Sequence, residues 1–279
     1  MQTAVKRCYD CLGDTLDLSN LGLTVLPKLP CQIKELNCSG NILTALPDSL
    51  PIGLRKLDCS NNLLESIPKL PPFLVYLICT NNKLKALPTL PKSLEHLYCQ
   101  INYLKALPTL PFHVRELVCS GNHLTELPEL SKYLYLLVCK CNELVSLPPL
   151  NKYLTTLDCS YNYLKSLPQL PTTLTKLICH SNNLTEIPQL PFSLELLYCS
   201  FNKLNYLPEF PLFLTRINAN DNYFPDKNDN ETAHEYEARL NLFYQSQSKQ
   251  RITKRTTLLS QELLSKVLEK TDHANIFAI

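Results

Sequence analysis

From Leu16 to Asn222 the apolar residues keep one frame that returns about every twenty positions. In the stretch Leu77 to His96 it consists of Leu77, Cys79, Leu84, Leu87, Leu90 and Leu94, punctuated by Asn82, Pro88 and Pro91. Leu97, Cys99, Asn102, Leu104, Leu107, Pro108, Leu110, Pro111 and Val114 then repeat it. Leucine and cysteine two apart, with variable residues between, form a period-two pattern that predicts one short strand per repeat. The L-P-x-L-P segment can be neither helix nor central strand, because its prolines lack donors and fix φ. It predicts an extended, polyproline-like return path. The asparagine sits where the chain leaves the strand, and its amide can donate to and accept from turn groups otherwise buried unpaired.

Counting the cysteine slot at 18, 38, 59, 79, 99, 119, 139, 159, 179, 199 and 219 gives eleven repeats. Leu18 and Ala219 fill the terminal slots, and an extra residue in Asp48-Ser49-Leu50-Pro51 makes one repeat longer. A period this short, on a leucine frame, predicts a leucine-rich-repeat solenoid with short parallel strands on its concave face. Each unit contacts only its neighbours, so the chain's length sets no limit on its core. The expected organisation is a short N-terminal segment over 1–15, the solenoid over 16–222 and a helical tail over 223–279. In the tail, Asn230 is placed to cap a helix from Glu231 to about Gln247, with Ala233, Tyr236, Leu240 and Phe243 on one face that could close the solenoid's end. A second amphipathic helix is expected from about Thr256 to Lys270, carrying Leu259, Leu263, Leu264, Val267 and Leu268. Lys249, Arg251, Lys254 and Arg255 between them are read as a solvated linker.

Net charge of +2 gives no electrostatic reason to expect nucleic acid or an acidic membrane surface as partner. Thirteen cysteines would suit a disulfide scaffold if irregular, yet Cys38, Cys59, Cys79, Cys99, Cys119, Cys139, Cys159, Cys179 and Cys199 hold one repeat position. Stacked strands bring such Cα atoms to about 4.8 Å, but parallel Cβ vectors leave the Cβ atoms too far apart for an unstrained bridge. They read as reduced thiols in a core slot, which points to a reducing, cytoplasmic setting. The start, MQTAVKRCYDCLG, has no apolar core of a signal peptide, and no stretch approaches the length of a membrane span. Cys8-x-x-Cys11 lacks a second pair or nearby histidines, so no metal or cofactor is expected.

The frame L-P-x-L-P-x-x-L-x-x-L-x-C-x-x-N-x-L resembles the short, LPX-type leucine-rich repeats of bacterial type III effectors, the YopM and IpaH group, over Leu16 to Asn222. The resemblance implies a strongly curved right-handed solenoid that holds proteins inside a host cell. Those effectors more often carry an aliphatic residue in the cysteine slot and begin with a longer helical leader than fifteen residues supply. The catalytic ubiquitin-ligase domain of IpaH proteins is not implied, because the tail is too short and lacks cysteine. The run Leu258 to Leu268 resembles the opening of an F-box, which leaves a ubiquitin-ligase substrate adaptor as the alternative function.

No enzymatic constellation emerges: there is no phosphate-binding glycine loop, and Cys179 and His180 fall on opposite faces of a strand. His96, His113, His123, His234 and His273 occupy unrelated positions and read as surface residues. The residue before each cysteine slot should face outward. In that row Ile78, Tyr98, Val118 and Val138 are consecutive, while Asn37, Asp58, Asp158 and Asn218 lie outside them. Tyr76, His96 and Leu136 widen the row into an apolar and aromatic patch, the expected protein-binding site. Asp58, Ile78 and Tyr98 recur as Asp158, Ile178 and Tyr198, a duplicated block that adds Ile178 and Tyr198 as a second stripe about 24 Å away.

Overall fold

The computed structural model describes residues 1–246. The helix expected from Thr256, its F-box-like run and the basic segment from Lys249 lie outside the described residues. The chain divides into a compact unit over Met1–Lys227 and a second that begins at Asn228.

The first unit holds one parallel sheet of eleven strands in sequence order. They are β1 (Thr15–Asp17), β2 (Glu35–Asn37), β3 (Lys56–Asp58), β4 (Tyr76–Ile78), β5 (His96–Tyr98), β6 (Glu116–Val118), β7 (Leu136–Val138), β8 (Thr156–Asp158), β9 (Lys176–Ile178), β10 (Leu196–Tyr198) and β11 (Arg216–Asn218). Each strand centres on the frame leucine or its equivalent, and the cysteine slot falls one residue past the strand's end. The centre residue and the slot residue are both buried in every repeat, so period-two alternation continues through the cysteine. Between strands the proline segments carry neither helix nor strand. A tight turn then leads into the next strand, closed in the repeat of β5 by Leu94 N–H on the Pro91 carbonyl at 3.0 Å.

Nine cysteines line the interior and all thirteen are free. Burial pushes the thiols of Cys38 and Cys99 up to about 12. Burial also raises Cys59, Cys79, Cys119, Cys139, Cys159 and Cys199 well above the ordinary thiol value.

The asparagines do more than finish their own turns. Asn82 Nδ2 donates to the carbonyls of Cys79 and, one repeat earlier, Cys59, each at 3.1 Å, while its Oδ1 accepts from Leu64 N–H of that earlier repeat at 3.0 Å. Asn102, Asn122, Asn142, Asn162, Asn182 and Asn202 make the same set of bonds to their own predecessors. Each amide therefore links two turns through buried backbone groups, whose loss would cost about 1–3 kcal/mol apiece.

One position escaped the sequence reading. The residue before each asparagine takes a left-handed backbone, whether it is Gly40, Asn61, Asn81, Ile101, Gly121, Cys141, Tyr161, Ser181, Phe201 or Asp221. Glycine or asparagine fits there at little cost, whereas β-branched Ile101 at φ +55 is strained. At Gly40 a Cβ would stand 2.1 Å from Asn20 Oδ1, so a larger residue there would require the Asn20 side chain to move.

The N-terminal segment, expected to be too short for the longer helical leader of the effectors it resembles, forms the single helix α1 (Gln2–Asp10). It packs on β1 with Ala4 buried, and Arg7 Nη1 donates to the Asp17 carbonyl at 2.8 Å. In the second unit, α2 occupies 233–246 within the described residues. Its cap is Thr232 and not Asn230: Glu235 N–H donates to Thr232 Oγ1 at 3.2 Å, and Thr232 N–H donates back to Glu235 Oε2 at 2.8 Å. This reciprocal box satisfies two orphan donors, which a cap two residues earlier could not. Ala233, Tyr236 and Leu240 are buried.

Candidate protein-binding face

Because the strands are parallel and in register, equivalent side chains form rows across the exposed side of the sheet. Tyr76, His96, Glu116, Leu136 and Thr156 pair in succession, as do Ile78, Tyr98, Val118, Val138 and Asp158. Ile178 and Tyr198 continue the second row on β9 and β10. The structure thus brings Tyr76, Ile78, His96, Tyr98, Val118, Leu136 and Val138 onto one surface, with Tyr76 exposed and the others half-buried.

The patch differs from its sequence outline in two respects. Glu116 stands between His96 and Leu136, so the first row is broken by a carboxylate whose side chain is only 15% exposed. Tyr98 and Tyr135 both donate their hydroxyls to it. His96 Nδ1 lies 3.3 Å from Glu116 Oε2. Burial, followed by the bond to Glu116, raises the Tyr98 phenol above its ordinary value. Secondly, His96 is no surface histidine: its side chain is 12% exposed, and its ring stacks on Tyr76 with centroids 4.1 Å apart. The apolar reading passed over Glu116 and Tyr135 because neither continues the hydrophobic row.

The polar residues outside the patch have a local role. Asp58 Oδ1 accepts from Ser60 N–H at 3.0 Å and Ser60 Oγ–H at 2.6 Å, and Asp158 does the same for Ser160. Asn37 and Asn218 hold Ser39 and Asn220 in the same way. These are Asx turns that finish a strand. Ile78, Tyr98, Val118 and Val138 cannot accept such a bond, so the central repeats give up a local stabilising contact for apolar surface. The effect reaches the next exposed row. Among the described residues, Thr80 Oγ1 and Gln100 Oε1, next to the patch, are buried without a hydrogen-bond partner, and His96 Nδ1 has only its 3.3 Å ion-pair contact with Glu116.

Two grooves lie on the repeat surface, one of them beside the sheet. One of about 450 Å³ is lined by Tyr161, His180, Ser181, Tyr198, Ser200, Phe201 and Asn218, so Tyr198 of the second stripe lies in a recess. Burial lowers the basicity of His180 there, with Lys140 acting in the same direction and Asp158 opposing. The other, about 740 Å³, lies among the proline segments from Thr109 to Asn151, away from the strand rows. No group of three or more metal-ligating side chains occurs among the described residues. No helix among them is long and apolar enough to cross a membrane.

This register of three-residue parallel strands, bound by an asparagine ladder, makes the chain a leucine-rich-repeat protein. Within that class its repeats are YopM-like. It is similar to YopM from Yersinia enterocolitica WA-314, with 36% identity over 75% of this chain and 51% of that one and a TM-score of 0.64. It therefore spans about half the length of that protein. It is also similar to the leucine-rich-repeat protein LIC12759 of Leptospira interrogans, at 26% identity over 74% of this chain and 72% of that one, TM-score 0.57. A third likeness is to the functional domain of InlJ from Listeria monocytogenes, described as including a cysteine ladder, at 28% identity over 74% and 53%, TM-score 0.54. No protein-family model and no curated protein matches the chain.

Proposed function

We propose that the chain is a non-enzymatic scaffold that binds a protein through the exposed face of its sheet, with Tyr76, Ile78, His96, Tyr98, Val118, Leu136 and Val138 as the contact surface. Ile178 and Tyr198 offer a second, similar contact, and the place of action is inside a cell, of a host if the effector likeness extends to use. The supporting observation is the apolar and aromatic run Ile78, Tyr98, Val118 and Val138 on consecutive strands, in a row whose neighbouring strands carry Asp58 and Asp158. Aromatic and aliphatic anchors framed by polar positions have the make-up of an interface centre.

Tyr98→Asp and Val118→Asp test this reading. Asp58 and Asp158 occupy the same strand row, so the slot accepts a carboxylate and the circular dichroism spectrum should not change. Proteins retained from cytosol by the unaltered chain should be lost from both variants and kept by a Lys176→Ala control. A captured set that is the same for all of them would sink the idea.

A further inference from the structure

A second exposed row runs along the tight turns that precede the strands, two residues to each turn. Its members are Cys31 and Gln32, Ile52 and Gly53, Pro72 and Phe73, Lys92 and Ser93, Phe112 and His113, then Lys132 and Tyr133, Lys152 and Tyr153, Thr172 and Thr173, Phe192 and Ser193, Leu212 and Phe213. All are exposed or half-exposed. Turns of this kind ordinarily collect aspartate, asparagine, serine and glycine. Here no position holds an acid, although the chain has 25 of them, and the only charges are the three lysines. Large apolar and aromatic side chains dominate instead, with Ile52 at 71% exposure and Phe192 and Leu212 at 67% each.

Neighbouring rings touch in two runs, separated by Thr172 and Thr173. The rings of Phe112 and Tyr133 meet edge to face at 5.3 Å, Tyr133 stacks on Tyr153 at 5.8 Å, and Phe192 meets Phe213 at 5.3 Å. Lys132 Nζ stands over the Phe112 ring at 6.0 Å and Lys152 Nζ over Tyr153 at 5.1 Å. From Ile52 to Phe213 the row crosses eight strand spacings, about 38 Å. The acids nearest in sequence lie on the residues just after the turns. Of these, Glu95 is paired with Arg115 at 2.9 Å; on the other side of the turns, exposed Glu129 shares a groove with Phe112 and Lys132.

We infer that this edge is a docking surface for an anionic lipid bilayer, lying on the membrane without crossing it. Aromatic and aliphatic side chains on one line would enter the boundary between headgroups and acyl chains. Lysines stretched along the rings would reach the phosphates and carboxylates of the headgroups, and acids would be repelled from that surface, which fits their absence. A protein groove would need pockets that match these side chains one by one, whereas a bilayer accepts any mixture of Phe, Tyr, Ile and Leu along an edge. The net charge of the whole chain conceals this, because it averages the turn row with the acid-bearing rows around it.

The test is co-sedimentation of the full chain with phosphatidylcholine vesicles, with and without phosphatidylserine. Binding should require phosphatidylserine and weaken as salt rises. Phe112→Ser combined with Phe192→Ser should lower the partition coefficient by about tenfold or more. Replacing Lys92, Lys132 and Lys152 by glutamate should remove the dependence on phosphatidylserine. All these side chains are exposed, so thermal unfolding should be unaltered and report that the fold is intact. No binding to phosphatidylserine vesicles at low salt would overturn the proposal, as would binding that the serine and glutamate variants leave intact. Loss of a captured protein from the serine variants, with no vesicle binding by the parent chain, would also overturn it and make the edge a protein contact.

Discussion

At the scale of single residues, the repeat slots differ in how visibly they announce themselves. Leucine, cysteine and asparagine recur in identity, so their roles as core, core and turn staple could be read from the period alone. The left-handed slot could not, because its occupants range from Gly40 to Phe201 and share only a backbone angle. Its trace was the enrichment in Gly and Asn at 20, 40, 61, 81 and 121, hidden by Ile101, Tyr161 and Phe201. Strain of this kind predicts an outcome. Ile101→Gly should stabilise the chain by about 1 kcal/mol in urea unfolding, because relief of the left-handed strain, about 1–2 kcal/mol, exceeds the entropy cost of glycine. A measured loss of stability would mean that the exposed Ile101 side chain packs more usefully than its position indicates. Glu116 shows the opposite weakness of sequence reading: its charge was visible, but nothing along the chain indicated that Tyr98 and Tyr135 would converge on it from different turns.

At the scale of elements, strand register was legible because each repeat carries the same burial pattern and a one-residue slip would turn the leucines outward. The ends were less so. α1 has no repeat to announce it, and only its contact with β1 and the burial of Ala4 give it a function as a cover. Ala4→Glu should therefore expose the first turn, since an unpaired charge would be driven into a buried site. Hydrogen exchange should then lose protection at Leu18, whose N–H donates to the Asn37 carbonyl at 2.7 Å, and keep it through β5 to β8. Equal loss across all strands would show that the sheet unfolds as one block. The cap of α2 was misplaced by two residues for a related reason: Asn230 and Thr232 both have capping side chains, and the reciprocal Glu235 selects between them.

At the scale of the whole molecule, the thiol ladder couples stability to alkaline pH. An unfolded thiol ionises near pH 8.5, about the ordinary value, whereas Cys38 and Cys99 in the fold hold their protons to about 12. Above the unfolded value the native state binds more protons than the unfolded one, so stability is full below that pH and falls as pH rises toward the folded values. Each ladder thiol contributes a slope of up to about 1.4 kcal/mol per pH unit, and these slopes add. Urea midpoints should be level from pH 6 to 7, about one and a half units or more under the unfolded thiol value, and drop steeply by pH 10. Exchange of Cys99, Cys119, Cys139 and Cys159 for alanine should flatten that drop while lowering stability at neutral pH. An equally steep drop in that variant would assign the effect to other groups. The fold was legible because repetition states it eleven times; the binding face was only half legible, since its partners across strands are set by register and not by proximity in sequence.

The asparagine ladder also has a direction. Every amide from Asn41 to Asn222 completes carbonyl and N–H groups of the turn before it, and Asn222 supplies this to Leu204 N–H and the Cys199 carbonyl. A chain emerging from the ribosome N-terminus first would thus always carry one unfinished turn at its growing end, sealed only when the next asparagine arrives. For the asparagine bonds, growth and closure run the same way: each newly made coil locks the turn of its elder neighbour, whose carbonyls in exchange receive the newcomer's N–H groups, as Leu64 receives Lys83.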